Sequence, residues 1–416
     1  MCKKNIWSVV LIFIIFFFSV MEPKAQSQGK TDFLYFTSSQ ISTIKDEIKS
    51  HDKRIMPFVK ILKQLADKML QQGPWTITSV HANTPSGDPH EYFSEGTYWW
   101  PNPKDINGPY IRKDGLRYPG RFMAHRKMLD KMYAAVYWLS IAAYFLDDQE
   151  YANHAAKIIS VWYLDPKTKM NPNLMYAQAI KGITPGRGIG IIDMHRFSMF
   201  PTAINLLEAS GKWNKKDYEG LKNWFKQYLE WITTSKNGIE EKNNGNNHST
   251  WWEDQAMAYS IFLNDTSMYN RLIKFFKTDL IPKQIMPNGS CPKEEARTKS
   301  LQYSIFNVEA FALLCRMAML KGDNLWNYKT NGSGSVNKTI NYLIPFMKQP
   351  DKWKKEEIIP FKVQQPLFLA LAYISLKNPE YKDLYLKMGK LKSKKSNEQF
   401  NDPFNFLVDM VLVAEQ

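Results

Sequence analysis

Apolar residues recur at three- and four-residue spacing along most of this chain, and that period limits its fold more than any other feature. Between 127 and 145, Met128, Tyr133, Val136, Tyr137, Ser140 and Tyr144 fall on recurring helical positions. The same reading predicts helices over 54–71, 150–163, 195–209, 216–233, 249–263, 267–278, 299–321, 337–347, 366–376 and 379–388. A shorter one starts at a Ser38-Ser39 cap. Alternating strand patterns are scarce. Near-consecutive helix pairs joined by short turns predict an all-α fold, an α/α toroid in which about six or seven hairpins form an incomplete barrel around a cleft. No sequence repeat of fixed period is present, which argues against an ordinary solenoid.

One stretch breaks the pattern. Residues 73–120 are rich in Pro, Gly, Asn and aromatics and are too long for a connector, so they read as a lid or wall over the cleft. Tyr98-Trp99-Trp100 argues against disorder there. At the other end, residues 391–416 are expected either to close the toroid or to lie across it, and the basic run 390–396 reads as a solvated connector.

The N-terminus reads as a targeting segment. Lys3 and Lys4 precede an apolar run over 6–20, followed by Pro23, Lys24, Ala25 and Gln26. A positive start, a short apolar core and a small residue before polar sequence predict a signal peptide over 1–25, an exported protein of the periplasm or exterior, and a single domain over 26–416. The apolar run is short for a membrane span, so the mature form is expected to have none. Cys2 lies ahead of that run, where a lipidation site does not fall, and Cys291 and Cys315 lack metal-like spacing. With seven His in the chain and none in a paired ligand motif, neither a metal nor another cofactor is expected.

Charge narrows the partner. The formal net charge is +15, and the cations are scattered. That favours a polyanion and gives no basic tail for nucleic acid, which is not expected as a partner. The 13 Trp and 21 Tyr are more than a core alone usually needs; such rings make platforms for sugar faces, though large helical cores use them too.

Two clusters can carry proton chemistry. Asn246-Asn247-His248 follows Asn243-Asn244-Gly245 and reads as a turn feeding a helix that starts near Ser249. A helix N-terminus offers free N–H groups to an anion, Asn247 can donate to a carboxylate, and His248 can exchange protons near neutrality. The alternative is a helix cap beside a surface histidine. Arg297 and Tyr303 are six residues apart, which in one continuous helix puts them about 240° apart. They converge only if the helix begins between them, near Thr298. Tyr98, Trp99 and Trp100 can wall a sugar cleft, Tyr176 and Gln178 can reach into it, and Arg187, His195 and Arg196 add cationic donors for carboxylates. Gly186-Arg187-Gly188 is too short for a phosphate loop.

Together, several of these segments resemble the alginate lyase superfamily of helical-toroid polysaccharide lyases over about residues 80–320. The matching stretches include Ser86-Gly87-Asp88, Tyr98-Trp99-Trp100-Pro101, Pro109-Tyr110-Ile111-Arg112 with Asp114-Gly115, Met170-Asn171-Pro172-Asn173-Leu174 and Tyr176-Ala177-Gln178. Gly186-Arg187-Gly188-Ile189-Gly190-Ile191-Ile192-Asp193 and Asn246-Asn247-His248-Ser249-Thr250-Trp251 complete them. The pattern is most similar to polysaccharide lyase family 38, which acts on glucuronan and alginate, and less similar to the mannuronate-specialised family 5. The resemblance implies that Tyr303 moves the C5 proton and protonates the leaving O4. His248 would support the carboxylate or act as base on the opposite epimer, Asn247 and Arg297 would neutralise the carboxylate, and Trp251 would join the substrate contacts. It also implies that Arg297 and His248 favour the Tyr303 phenolate. Two other classes remain open from the residues alone. A toroid glycoside hydrolase would need two carboxylates among Asp193, Glu253, Asp254, Glu294 and Glu295, and a non-catalytic binder of acidic glycans would need neither.

Overall fold

The computed structural model describes residues 33–361, 365–395 and 402–415, so the predicted signal peptide lies outside the described residues. Helices α1 (Ser38–Lys49) and α2 (Met56–Leu70) come first, then α3 (Ala124–Phe145), α4 (Gln149–Ile159), α5 (Phe200–Ala209), α6 (Lys215–Thr234) and α7 (Lys236–Lys242). The chain continues through α8 (Asn247–Phe262), α9 (Thr266–Phe275), the short α10 (Ile281–Gln284) and α11 (Pro292–Glu295), and α12 (Ser300–Leu320). It finishes with α13 (Val336–Lys348), α14 (Leu367–Leu376), α15 (Pro379–Lys395) and α16 (Pro403–Ala414). Polar caps set many of the starts: Thr37 and Gln40 close a reciprocal box at α1, while Asp148, Asn214, Asp265, Ser335 and Asp402 cap α4, α6, α9, α13 and α16.

Burial divides the helices into two layers. α3, α5, α8, α12, α14 and α16 are buried around most of their circumference, as a helix must be when other helices cover every side. α1, α2, α4, α6, α9 and α13 bury one stripe and expose the other. The inner helices touch in chain order, α3 to α5, α8, α12, α14 and α16, and α16 touches α3 again. The outer helices lean on them: α2 and α4 on α3, α6 and α9 on α8, α13 on α12, α15 on α14 and α1 on α16. This is the α/α toroid. The final segment closes the ring, since α16 packs against α1, α3 and α14. Tyr35 and Phe36 set their rings against Phe404, and Arg316 of α12 donates to the Tyr35 carbonyl at 2.8 Å.

Three boundaries differ from the sequence reading. Residues 188–198 wind as a tight three-residue-per-turn helix, and α5 proper begins at Phe200, with Pro201 in its first turn where a missing N–H costs nothing. α8 begins at Asn247, so Asn247 and His248 lie inside its first turn instead of ahead of it. α15 runs to Lys395, so most of the run expected as a connector is helical.

The 73–120 stretch supplies short strands β1 (Phe93–Glu95), β2 (Trp99–Trp100) and β3 (Ile111–Arg112). β1 pairs in parallel with β4 (Tyr176–Ala179), and β2 pairs antiparallel with β3. The stretch is anchored to the start of α12 through Asp114, which accepts from Arg297 at 2.9 and 3.2 Å and from Thr298 Oγ1 at 3.0 Å. Gly115 follows with φ +74, and a Cβ there would sit 2.6 Å from Thr298 Oγ1, so glycine permits the close approach.

Candidate active site

A cleft of about 710 Å³ opens where the 73–120 stretch faces the starts of α8 and α12. Gly245, at φ +71, turns the chain into α8. Asn247 is buried at the cleft wall, and its backbone N–H and side-chain Nδ2 both donate to Glu294, at 2.6 and 2.7 Å. The next N–H, of His248, donates to the Asn246 side chain at 3.0 Å. The α8 N-terminus expected to receive an external anion is therefore already occupied by an internal carboxyl group. Burial raises the Glu294 carboxyl above its usual range, and the two Asn247 hydrogen bonds only partly oppose that rise.

His248 lines the cleft, with Nδ1 2.7 Å from Oε1 of the buried Glu241 of α7. Across from it, α12 begins at Ser300, between Arg297 and Tyr303, so these two converge. The Arg297 guanidinium lies 4.0 Å over the Tyr303 ring, and the Tyr303 and Tyr98 hydroxyls are 2.6 Å apart. Burial and then Tyr98 push the Tyr303 phenol well up, and the Arg297 charge only partly offsets them. Arg297 thus acts in the expected direction, but burial outweighs it, so the net shift is away from phenolate. Burial alone would raise the Asp114 carboxyl, but hydrogen bonds from Arg297, Arg112 and Thr298 outweigh it and hold Asp114 well below the carboxylate range.

Of the other sequence candidates, Tyr98, Trp99, Gln178, Arg187 and His195 also line the cleft. Arg187 donates to the Gln178 carbonyl and to its Oε1, at 3.1 and 3.0 Å, and lies 5.8 Å over the Trp99 ring. Four candidates lie elsewhere. Trp251 is buried behind the wall, against His195 and Phe306. Arg196 pairs with Asp402 at the α16 cap. Trp100 packs on Tyr118 with Lys113 over its ring, and Tyr176 sits in β4 outside the lining. His195 lines the cleft but is no cation: burial, then Arg126 and Arg196, hold its imidazole well below the usual range.

The sequence reading missed much of the cationic lining: Arg112, Arg117, Arg121, Arg126 and Lys299. Four arginines between 112 and 126 were the available signal. Asp193, weighed from the sequence only as a hydrolase carboxylate, is instead a fixed structural acceptor. Asp193 accepts from Tyr92, Ser94 and Gln178 at 3.0, 2.5 and 3.2 Å, and lies 3.4 Å from Arg126 Nη1, tying β1, β4 and α3 together under the cleft. No group of three or more potential metal ligands occurs among the described residues.

A helical ring around a cation-lined cleft is a frame suited to an anionic polymer. The family model for alginate lyase matches residues 76–353, and the chain belongs to that family. The crystal structure of an alginate lyase from Bacteroides ovatus is 33% identical, with a TM-score of 0.79 over 85% of this chain and 94% of that one. Alginate lyase A1-III from Sphingomonas species A1 is 15% identical, with a TM-score of 0.46 over 75% of this chain and 84% of that one. A variant of A1-III complexed with tetrasaccharide gives 16% and 0.47 over 73% and 78%. No curated protein matches the chain.

Proposed function

We propose that this lyase cleaves a 1,4-linked uronan, alginate or glucuronan, by β-elimination, with Tyr303, His248, Arg297 and Asn247 at the reacting unit. The carrying observation is the meeting of the Tyr98–Tyr303 hydroxyl pair, the Arg297 guanidinium and the His248 imidazole in one cationic cleft. The C5 proton of a uronate is α to a carboxylate and scarcely acidic while that group bears its full charge. Arg297 and neighbouring cations offset the charge as it spreads in the transition state. In mannuronate and glucuronate, H5 and O4 lie on one face, so Tyr303 can take the proton and return one to O4. In guluronate they lie on opposite faces, and His248 becomes the base while Tyr303 remains the acid. Asn247, bound to Glu294, is assigned the shaping of the pocket beside His248. The similarity to family 38 in motif pattern supports keeping glucuronan among the substrates.

A hydrolytic reading finds less support. Of the candidate carboxylates, Asp193 and Glu294 are held by protein donors, and Glu253, Asp254 and Glu295 are outside the cleft lining.

Incubating the purified chain with polymannuronate, polyguluronate and polyglucuronate should raise ultraviolet absorbance from the C4–C5 alkene. Tyr303→Phe should lower turnover by about 10²- to 10⁴-fold while leaving polymer binding near wild type. Chain shortening without absorbance, or a wild-type rate from Tyr303→Phe, would remove this mechanism. Export is part of the same proposal: mature protein recovered outside the cytoplasm should begin after Ala25.

A further inference from the structure

Glu241 has no role in the mechanism above, yet it is wholly buried and fixed on several sides. Its Oε1 meets His248 Nδ1 at 2.7 Å, its Oε2 accepts from Asn244 Nδ2 at 3.2 Å, and its backbone carbonyl accepts from Ser249 Oγ at 3.2 Å. A carboxylate only accepts hydrogen bonds, so the pairing places a proton on Nδ1 of the ring. The other ring nitrogen, Nε2, has no protein partner among the described residues, and His248 lines the cleft.

We infer that Glu241 is a positioning residue of the elimination, holding His248 in the Nδ1–H form with Nε2 as the base for units whose C5 proton lies opposite O4. The inference rests on the β-elimination reading. In the step, the C5–H bond breaks and its proton goes to Nε2. The electron pair forms C4=C5, the C4–O4 bond breaks, and O4 takes the Tyr303 hydroxyl proton. Exchange with water then returns a proton to Tyr303 and removes one from the imidazolium. Glu241 stabilises that imidazolium while it lasts, as an orienting carboxylate does for other histidine bases. The remaining charges near the ring, Glu294 from α11 with Arg187 and Arg297 across the cleft, are the same for either substrate.

The test is Glu241→Gln, nearly the same shape, assayed on polyguluronate and polymannuronate beside His248→Ala, with ¹⁵N spectra of the histidine rings. The expected result is a fall in kcat of about 10- to 100-fold on polyguluronate, with KM little changed, a polymannuronate rate within a few-fold of wild type, and displaced His248 ring shifts. Equal losses on both polymers, or unchanged rates and shifts, overturn the inference. The wild-type spectrum tests it independently of the variant's folding: an unprotonated Nδ1 in the neutral ring overturns it. If the wild type forms no alkene from any uronan, it is the β-elimination reading that fails, and the spectra still report whether Glu241 sets the tautomer.

Discussion

Tyr303 sits between opposing influences whose signs can be tested separately. Burial and the Tyr98 hydroxyl push its phenol up, and Arg297 over the ring pulls it down. If the phenol must lose its proton to act as base, kcat/KM on polymannuronate should climb with pH into the alkaline range. Removing the charge with Arg297→Ala should move that climb to higher pH and lower kcat/KM as well, since the same guanidinium would hold the carboxylate. Removing the neighbouring hydroxyl with Tyr98→Phe should move the climb to lower pH. A pH–rate series on the three proteins decides it, and movement of both variants in one direction would contradict the assignment. At this scale the sequence was informative where residues are close in the chain. Asn247-His248, and the turn separating Arg297 from Tyr303, were legible because their spacing constrains their directions. Trp251 and Arg196 were misread because a residue type does not reveal which way its helix face points. Glu241 and Asp114 were not legible as site residues, and Glu294 was named only as a hydrolase carboxylate, since each matters through a partner distant in sequence or across a turn.

α8 shows how an element can serve a site at some cost to its own stability. Its first turn carries Asn247 and His248, and one turn further on Glu253 and Asp254 are enclosed in the ring wall. Burial drives both carboxyl groups well above their ordinary values of 4.5 and 3.8. The unfolded chain ionises them once pH passes about 4, while the folded chain keeps them protonated. Their contribution is thus fully present in acid and is lost as pH rises toward the folded values. Glu253→Gln should therefore raise the melting temperature at pH 8 more than at pH 4; an equal change at both values would show that the carboxyl is not titrating differently on folding. Most helices were legible, those of the outer layer from one apolar stripe at helical spacing; in α8, α12 and α14, covered on every side, that stripe is nearly lost, and α7 and α16 were not read as helices at all. Starts were less legible: a helix was expected from 195, yet 188–198 winds as a tighter helix of its own, with Gly188 and Gly190 set close against α7 and β4.

For the molecule as a whole, the toroid was readable from paired helices without a repeat, whereas the crowding of Arg112, Arg117, Arg121 and Arg126 on one cleft depended on how a long irregular stretch folds back. That crowding gives the cleft a field that should gather a polyanion before contact. Raising ionic strength shortens the Debye length from about 30 Å at 0.01 M to about 10 Å at 0.1 M. kcat/KM on long uronans should therefore fall several-fold across that range while kcat at saturation changes little, and a flat profile would show that steering plays no part. The ring's closure has a temporal consequence. Tyr35 and Phe36 can meet Phe404 only when α16 is available. Contacts of such sequence separation form slowly. A chain synthesised from its N-terminus must therefore wait, with those aromatic surfaces uncovered, until its last helix has emerged, and chaperones have their opportunity in that interval.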